Sequence, residues 1–457
     1  MLRRQALMSA AMGAAFLAGH AAQAKVTEQD AARLKADLTP VGAERAGNKD
    51  GTIPPWTGGM TQVPADFNYK SGDPLPDFWA TEKPLFTIDA SNVDKYADKL
   101  DEGALYFLKN VKGFHLNVYP THRTAAMPQW VYDNTLVNAT RAVTSDGGNH
   151  VEGAYGGIPF PIPADGKQAI WNMNLSWRAQ ALVQTIQQYI VSGDNPPILS
   201  SSFQGHRQWD YYNKAGSLAD YKNYFFYARN LYIGPANRAG EALLAYDTSN
   251  DGVAPYIVWQ YLTGQRRLRK APNVQYDGAY PDCSGTVVTD ELIGFNGNTD
   301  RYDMKLLGKK EMYIPYNDNA LYHSTAANLL KPHALNPDLV RWELHRVWAV
   351  DMTVVSGKRH IIPHRIVYLD EDTWQLPLAD EYDAQGRFWK WNTEYPTTDP
   401  LSPAVAFTLN VIYDTQANSY CALNGGLYGD GGNPWIPEPR KPESFYQPET
   451  VASETAR

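Results

Sequence analysis

Apolar positions recur along this chain with two different periods, and the change falls near residue 180. Before it, residues 25–165 are rich in Pro and Gly and carry few long periodic runs. Helical spacing predicts three short helices there. The first covers residues 28–37, ended by Leu38-Thr39-Pro40. The second covers 91–109, opened by Asp89 or Ser91 and stopped before Gly113. The third covers 166–177. Gly47-Asn48-Lys49-Asp50-Gly51 and Pro54-Pro55-Trp56-Thr57-Gly58-Gly59 read as turn-rich connectors, and Gly156 to Pro163 as an extended, proline-stiffened segment.

Beyond residue 180 the period drops to two. Strands are expected at 181–191, 200–212, 222–233, 241–248, 255–262, 301–307, 311–316, 341–355, 359–369, 373–382 and 387–395. Turn signals such as Asn250-Asp251-Gly252 and Ser356-Gly357-Lys358 separate them, which predicts an antiparallel meander. The clearest strand, 341–354, puts Trp342, Leu344, Trp348, Val350, Met352 and Val354 on one face. Arg341, Glu343, His345, Asp351 and Thr353 lie on the other. At about 3.3 Å per residue it is far longer than the usual five or six residues, and long tilted strands suit a sheet that curls into a barrel or half-barrel. Trp374, Leu376, Leu378 and Tyr382 repeat the alternation further on, so burial should continue onto them. The expected fold is mainly β (α+β): a curled antiparallel sheet with covering helices over 166–424, a loop-rich extension over 25–165, and a Gly/Pro-rich tail over 425–457 whose end is disordered.

The N-terminus adds a compartment. Arg3-Arg4, an apolar run from Ala6 to Ala18 and Ala22-Gln23-Ala24 have the layout of a cleaved signal peptide, 1–24. The run is too short to span a membrane, and no cysteine near the cut could carry a lipid. A soluble periplasmic protein beginning at Lys25 is expected. Loss of Arg3 and Arg4 takes the formal charge from −8 to −10, which argues against nucleic acid as a partner. The 29 Tyr, 13 Trp and 14 Phe favour strands and binding surfaces. Cys283 and Cys421 are the only cysteines, and an oxidising compartment makes a disulfide the expected state, with two unpaired buried thiols as the alternative. On the chain-entropy argument such a long loop is worth roughly 4–5 kcal/mol.

Familiar catalytic motifs are missing. The sequence has no G-x-S-x-G elbow, H-E-x-x-H pair, phosphate loop or C-x-x-C. Three constellations remain. His122-Arg123 could meet an anion with Asp133 orienting the histidine, or simply pin a loop whose Trp130 and Tyr132 reach the core. In Gln265-Arg266-Arg267-Leu268-Arg269-Lys270, Arg267 and Arg269 share one strand face and could contact an acidic head group or partner, or could guard a sheet edge. Arg346 is the lone charge on the apolar face of 341–354, so it needs a carboxylate from another strand or an anionic ligand.

These segments also resemble a known family. Leu38-Thr39-Pro40-Val41-Gly42-Ala43-Glu44-Arg45-Ala46-Gly47-Asn48 and Asp50-Gly51-Thr52-Ile53-Pro54-Pro55-Trp56-Thr57-Gly58-Gly59 are similar to the start of domain-of-unknown-function family 1329. Tyr119-Pro120-Thr121-His122-Arg123-Thr124, Gly156 to Pro161, Trp259-Gln260-Tyr261-Leu262 and Leu339 to Trp348 continue the likeness over nearly the whole mature chain. That family is catalogued as similar to the outer-membrane lipoprotein-sorting carriers LolA and LolB. The resemblance implies an incomplete barrel whose concave apolar face accepts acyl chains. It also implies an association with an RND-type exporter and an outer-membrane partner, and no catalytic residue. This chain is much longer than those carriers, and its first 140 residues have no counterpart in them.

Together the expectations describe a carrier for a hydrophobic, acyl-bearing molecule, without cofactor, metal or catalytic residue. Trp342, Trp348 and Trp374 would line the interior, and Arg346, Arg267 or Arg269 would hold a head group. Two alternatives stand beside it: an envelope scaffold, and a hydrolase using Asp370, Glu371 and Asp372, a turn whose acids would by default be solvated.

Overall fold

The computed structural model describes residues 26–265, 267–271 and 276–455. The expected signal segment 1–24 and the mature terminus at Lys25 lie outside the described residues. Helices are short: α1 Glu28–Ala32, α2 Glu102–Asn110, α3 Gln129–Arg141, α4 Gly166–Asn174, α5 Ala326–Leu329 and α6 Pro448–Thr455. The strands, in chain order, are β1 Phe86–Ile88, β2 Leu116–Val118, β3 Val143–Ser145, β4 His150–Glu152, β5 Ala181–Ser192, β6 Ile198–Trp209, β7 Tyr224–Gly234, β8 Ala242–Thr248, β9 Ile257–Leu262, β10 Arg267–Lys270, β11 Tyr302–Pro315, β12 Trp342–Val354, β13 His364–Asp370, β14 Leu378–Tyr382, β15 Phe388–Asp399, β16 Ala404–Asp414, β17 Ser419–Gly425 and β18 Asn433–Pro437.

Antiparallel pairing runs β11-β12-β13-β14-β15-β16-β17-β5-β6-β7-β8-β9-β10. The ends, β11 and β10, do not pair with each other, so the curled sheet stays open. β17 meets β5 and thereby joins the C-terminal half of the meander to its start, while β18 extends the partnership of β5. β3 and β4 form a separate hairpin.

Both faces of this sheet are covered, and that explains where the alternation misleads. One face packs against the extension: Ile88, Leu100, Phe107, Phe114 and Leu116 share a core with Trp342, Trp391, Phe407 and Tyr413. The other face packs against α4, where Ile170 and Met173 meet Trp209, Phe226, Val350, Val367 and Leu369. Glu343 and His345, on the polar face opposite Trp342 and Leu344, are 0% and 1% exposed. β16 and β17 were not anticipated, because strands buried on both sides lack the apolar-polar contrast that period two relies on.

Other departures have local causes. β11 is one strand with an irregularity between Leu306 and Gly308, where two strands were expected. The expected strand 373–382 begins only at Leu378, because Trp374 has φ +63° in the turn that follows β13. The helix expected over 91–109 is α2 preceded by two 3-10 turns, with Asp101 accepting from the Ala104 N–H as its cap. α3 escaped notice because its buried stripe is Val131, Thr135, Asn138 and Ala139. Asn138 there donates to the Gly157 carbonyl, 3.0 Å. After Gly425 the chain adds β18 to the sheet and ends in α6, whose Val451 packs with Tyr227, Leu244 and Tyr446. Among the described residues no helix is long and apolar enough to cross a membrane.

Candidate functional site

Two buried regions compete for the role of functional site. The first surrounds Arg346. Its Nη1 donates to Glu371 Oε1 at 3.3 Å and to the Ala46 carbonyl at 3.1 Å, and Glu44 lies within ion-pairing distance of its Nε. Lys309 Nζ donates to Glu371 Oε2 at 2.8 Å. Arg123 clamps Asp372 through Nε at 2.8 Å and Nη2 at 2.6 Å. The Asp370-Glu371-Asp372 turn is therefore not solvated, contrary to the default from sequence: its acids are at most 4% exposed and two of them are ion-paired. Burial pushes the Asp370 carboxyl up to about 7, and the neighbouring Asp372 charge adds to the rise. This network ties the extension to the end of the β12-β13 hairpin. Arg123 and Arg346 are spent inside it.

His345, Asp370 and Asp372 lie close enough to offer three ligand atoms within 4.8 Å of one another. All three side chains are already engaged in other contacts. Asp372 holds Arg123, Asp370 accepts from the Thr373 hydroxyl at 2.7 Å, and His345 lies 3.1 Å from Glu343 and stacks on Tyr316. A metal would have to displace the guanidinium. His122 contacts Glu82 rather than Asp133, which sits exposed on α3 beside Gln129.

Of the residues singled out in the sequence, Trp348 and Trp374 come together, stacked at 5.9 Å with Lys309 over the Trp348 ring. Trp374 is fully buried and donates its indole N–H to Val41. Trp342 lies in the other core, stacked on Trp391. Arg267 and Arg269 are exposed on the edge strand β10, paired with Leu262 and Gln260 of β9, and Arg266 lies outside the described residues.

The second region is a cavity of about 230 Å³ under β5 to β9. Alternation dictates its floor. Leu182, Arg207, Ala228, Ala245 and Val258 stand in one row across five strands. The two alanines in the middle of that row are too small to fill the space above them. Phe203, Trp209 and Phe226 wall it on the sheet side. The roof is segment 276–301, which presents Tyr280, Leu292, Ile293 and Phe295.

That roof is held firmly at the C-terminal half of the sheet. Cys283 is bridged to Cys421 of β17, as the two-cysteine count implied. Lys390 of β15 reaches Glu291 at 2.9 Å, and Arg365 of β13 reaches Asp290 at 2.7 Å. Ile293, a β-branched residue, has φ +51°, a conformation that costs of the order of 1–3 kcal/mol and is kept only when the surroundings impose it.

Two arginines and two acids line this mostly apolar space: Arg178, Arg207, Asp247 and Glu394. Burial lifts the carboxyl of Asp247 to about 7 and that of Glu394 to about 8, against the pull of Arg207 and Arg178 respectively. Burial also lowers Arg207, to about 10, which leaves it charged at neutral pH. None of the four was singled out from the sequence. A signal was present for Arg207: it shares strand parity with Phe203 and Trp209, the same charge-on-an-apolar-face pattern that picked out Arg346. A more polar cavity of about 150 Å³ shares Asn174, Phe225, Asp247, Tyr256 and Asn296 with this one.

Comparison with known proteins bears on the family. Residues 87–451 match the family described as "Protein of unknown function (DUF1329)". An uncharacterized protein of Pseudomonas aeruginosa is 36% identical over 442 residues, 95% of each chain. A solved DUF1329 family protein from Desulfovibrio piger aligns with 60% of this chain and 92% of its own, at 13% identity and a TM-score of 0.40. A LolA superfamily protein from Nitrosomonas europaea aligns with 62% of this chain and 98% of its own, at 10% identity and a TM-score of 0.37.

Proposed function

This chain belongs to the DUF1329 family, and on that premise we propose that it is a periplasmic binding protein or carrier that holds a hydrophobic, lipid-like molecule, not an enzyme. The observation that carries the reading is the cavity under β5 to β9. α4 and segment 276–301 pack against the sheet interior, yet this mostly apolar space is left open and walled by Phe203, Trp209, Phe226, Leu292 and Phe295. An apolar chain entering it gains about 0.8 kcal/mol per buried methylene, so binding needs no chemistry. Its volume lies below the roughly 300–1,000 Å³ of drug-sized sites, which fits one chain and not a multi-acyl anchor.

The signal-peptide layout of residues 1–24 supports the periplasm as the place of action. The family resemblance supports service to an RND-type exporter and an outer-membrane partner. The exposed edge strand β10, with Arg267 and Arg269 in the open, is where such a partner would dock. In this reading the cargo touches the β5 to β9 floor, while Trp342 and Trp374 act as packing and Arg346 as an ion-paired tether.

Filling the floor tests the site. Ala245→Phe should abolish binding of a fluorescent apolar probe such as N-phenyl-1-naphthylamine while the melting temperature stays within a few degrees of wild type. Unchanged probe affinity in that variant would remove the cavity from consideration.

A further inference from the structure

Seven arginines are buried among the described residues. Five of them have a carboxylate within 4.0 Å: Arg123 has Asp372, Arg229 has Glu454, Arg341 has Glu343, Arg346 has Glu371 and Arg365 has Asp290. The two without one, Arg178 and Arg207, both line the same cavity. A buried cation without a counter-charge is costly, and folds keep such groups where something else supplies the anion.

We propose that the cargo carries a carboxylate on a single apolar chain, and that Arg207 receives that carboxylate. This rests on the cavity being the binding site. Arg207 is 8% exposed, and its Nη1 is committed to Asn230 Oδ1 at 2.6 Å and to the His206 carbonyl at 3.3 Å. These are its only hydrogen bonds among the described residues. The Nε–Nη2 edge is therefore free, and that edge is the fork which takes a planar two-oxygen anion in bidentate fashion.

The sheet is shaped to hold the group there. A Cβ on Gly205 would sit 2.9 Å from Arg207 Nη1 and 3.0 Å from Nη2, so the guanidinium occupies the space that glycine leaves. Asn230 stands opposite Gly205 in the register and fixes the inner nitrogen. On the other side Arg207 faces Ala228, beyond which Ala245 continues the low floor along which a chain can lie. Asp247, the acid whose charge acts on Arg207, makes no ion pair with it among the described residues, and burial lifts its carboxyl to about 7, so that it is only partly ionised at neutrality. Arg178 differs: its Nε is used by Gln375 and its electrostatic neighbour is Glu394.

The test is calorimetric titration of the purified protein at pH 6.5 with dodecanoate and with dodecanol, two ligands that differ only at the head. Dodecanoate should bind at least about tenfold tighter. Arg207→Met should erase that preference and leave dodecanol affinity within about twofold of wild type. Gly205→Ala keeps the charge but evicts the guanidinium from its berth, and should reduce the preference as well. This second variant keeps the question answerable if Arg207→Met fails to fold. Equal affinity of the wild type for acid and alcohol would overturn the carboxylate inference while leaving the cavity reading intact. Binding of neither would overturn the cavity reading itself. A preference lost in Arg178→Met but kept in both Arg207→Met and Gly205→Ala would overturn the assignment to Arg207.

Discussion

At the scale of single residues, the contrast between Arg346 and Arg207 decides where the chemistry sits. Both are cations on the apolar parity of a strand, and the sequence offers no way to rank them. What separates them is what arrives from elsewhere in the fold: Glu371 and the Ala46 carbonyl reach Arg346, while among the described residues Arg207 meets the uncharged Asn230, a neighbouring carbonyl and the Phe203 ring. The acids of the cavity make a measurable statement of their own. Asp247 and Glu394 bind a proton more tightly in the folded chain, at about 7 and about 8, than an unfolded Asp or Glu does. Their contribution to stability is complete below the unfolded values near 4 and is lost as pH rises through 7 and 8. Asp370, lifted to about 7, acts in the same direction. The melting temperature should therefore rise as pH falls from 8.5 to 6, with each fully titrating group contributing about 1.4 kcal/mol per pH unit. Asp247→Asn with Glu394→Gln should make that slope shallower. A melting temperature that is flat or falls over this range in the wild type would contradict the burial of these carboxyls.

At the scale of elements, segment 276–301 is the roof that bounds the cavity, and it is anchored to both halves of the sheet. It is fixed to β13, β15 and β17 by two buried ion pairs and the Cys283–Cys421 bridge, and on the other side its Asp282 accepts from Gln188 of β5 at 2.8 Å, Ser201 of β6 at 2.9 Å and Tyr232 of β7 at 3.3 Å. The bridge spans 138 residues of sequence, so its loss relaxes a long loop and costs roughly 4–5 kcal/mol on the chain-entropy argument. Cys283→Ser with Cys421→Ser should lower the melting temperature by several degrees and weaken probe binding further than stability alone accounts for, because the roof loses an anchor. Probe affinity equal to wild type at a temperature where the variant is fully folded would show that the roof does not need the bridge.

Elements were legible in the sequence in proportion to their contrast. β12 was located to within a residue or two, since large apolar side chains alternate along it with charged ones. β16, with Phe407, Leu409, Val411 and Tyr413 toward one core and Ala404, Ala406 and Ile412 toward the other face, showed no alternation to read. α3 hid for the opposite reason, a buried stripe built on Thr135 and Asn138. The cavity could not be foreseen, because it is an absence between alanines whose alignment depends on the pairing register.

At the scale of the whole molecule, the open sheet is sealed from both sides: outside by the extension that follows the N-terminus, inside by α4 and a roof drawn from the middle of the chain. Between them lies a mostly apolar cavity about the size of a single chain, lined by the two buried guanidiniums that have no carboxylate partner among the described residues. The claim that this space holds the cargo is tested most directly by crystals grown with 12-bromododecanoate, whose bromine can be located by anomalous scattering. The account places the bromine inside the cavity, between Ala228 or Ala245 and segment 276–301, with the carboxylate at the free edge of Arg207. A well-ordered bromine elsewhere, or none in crystals that diffract well at saturating ligand, would contradict it.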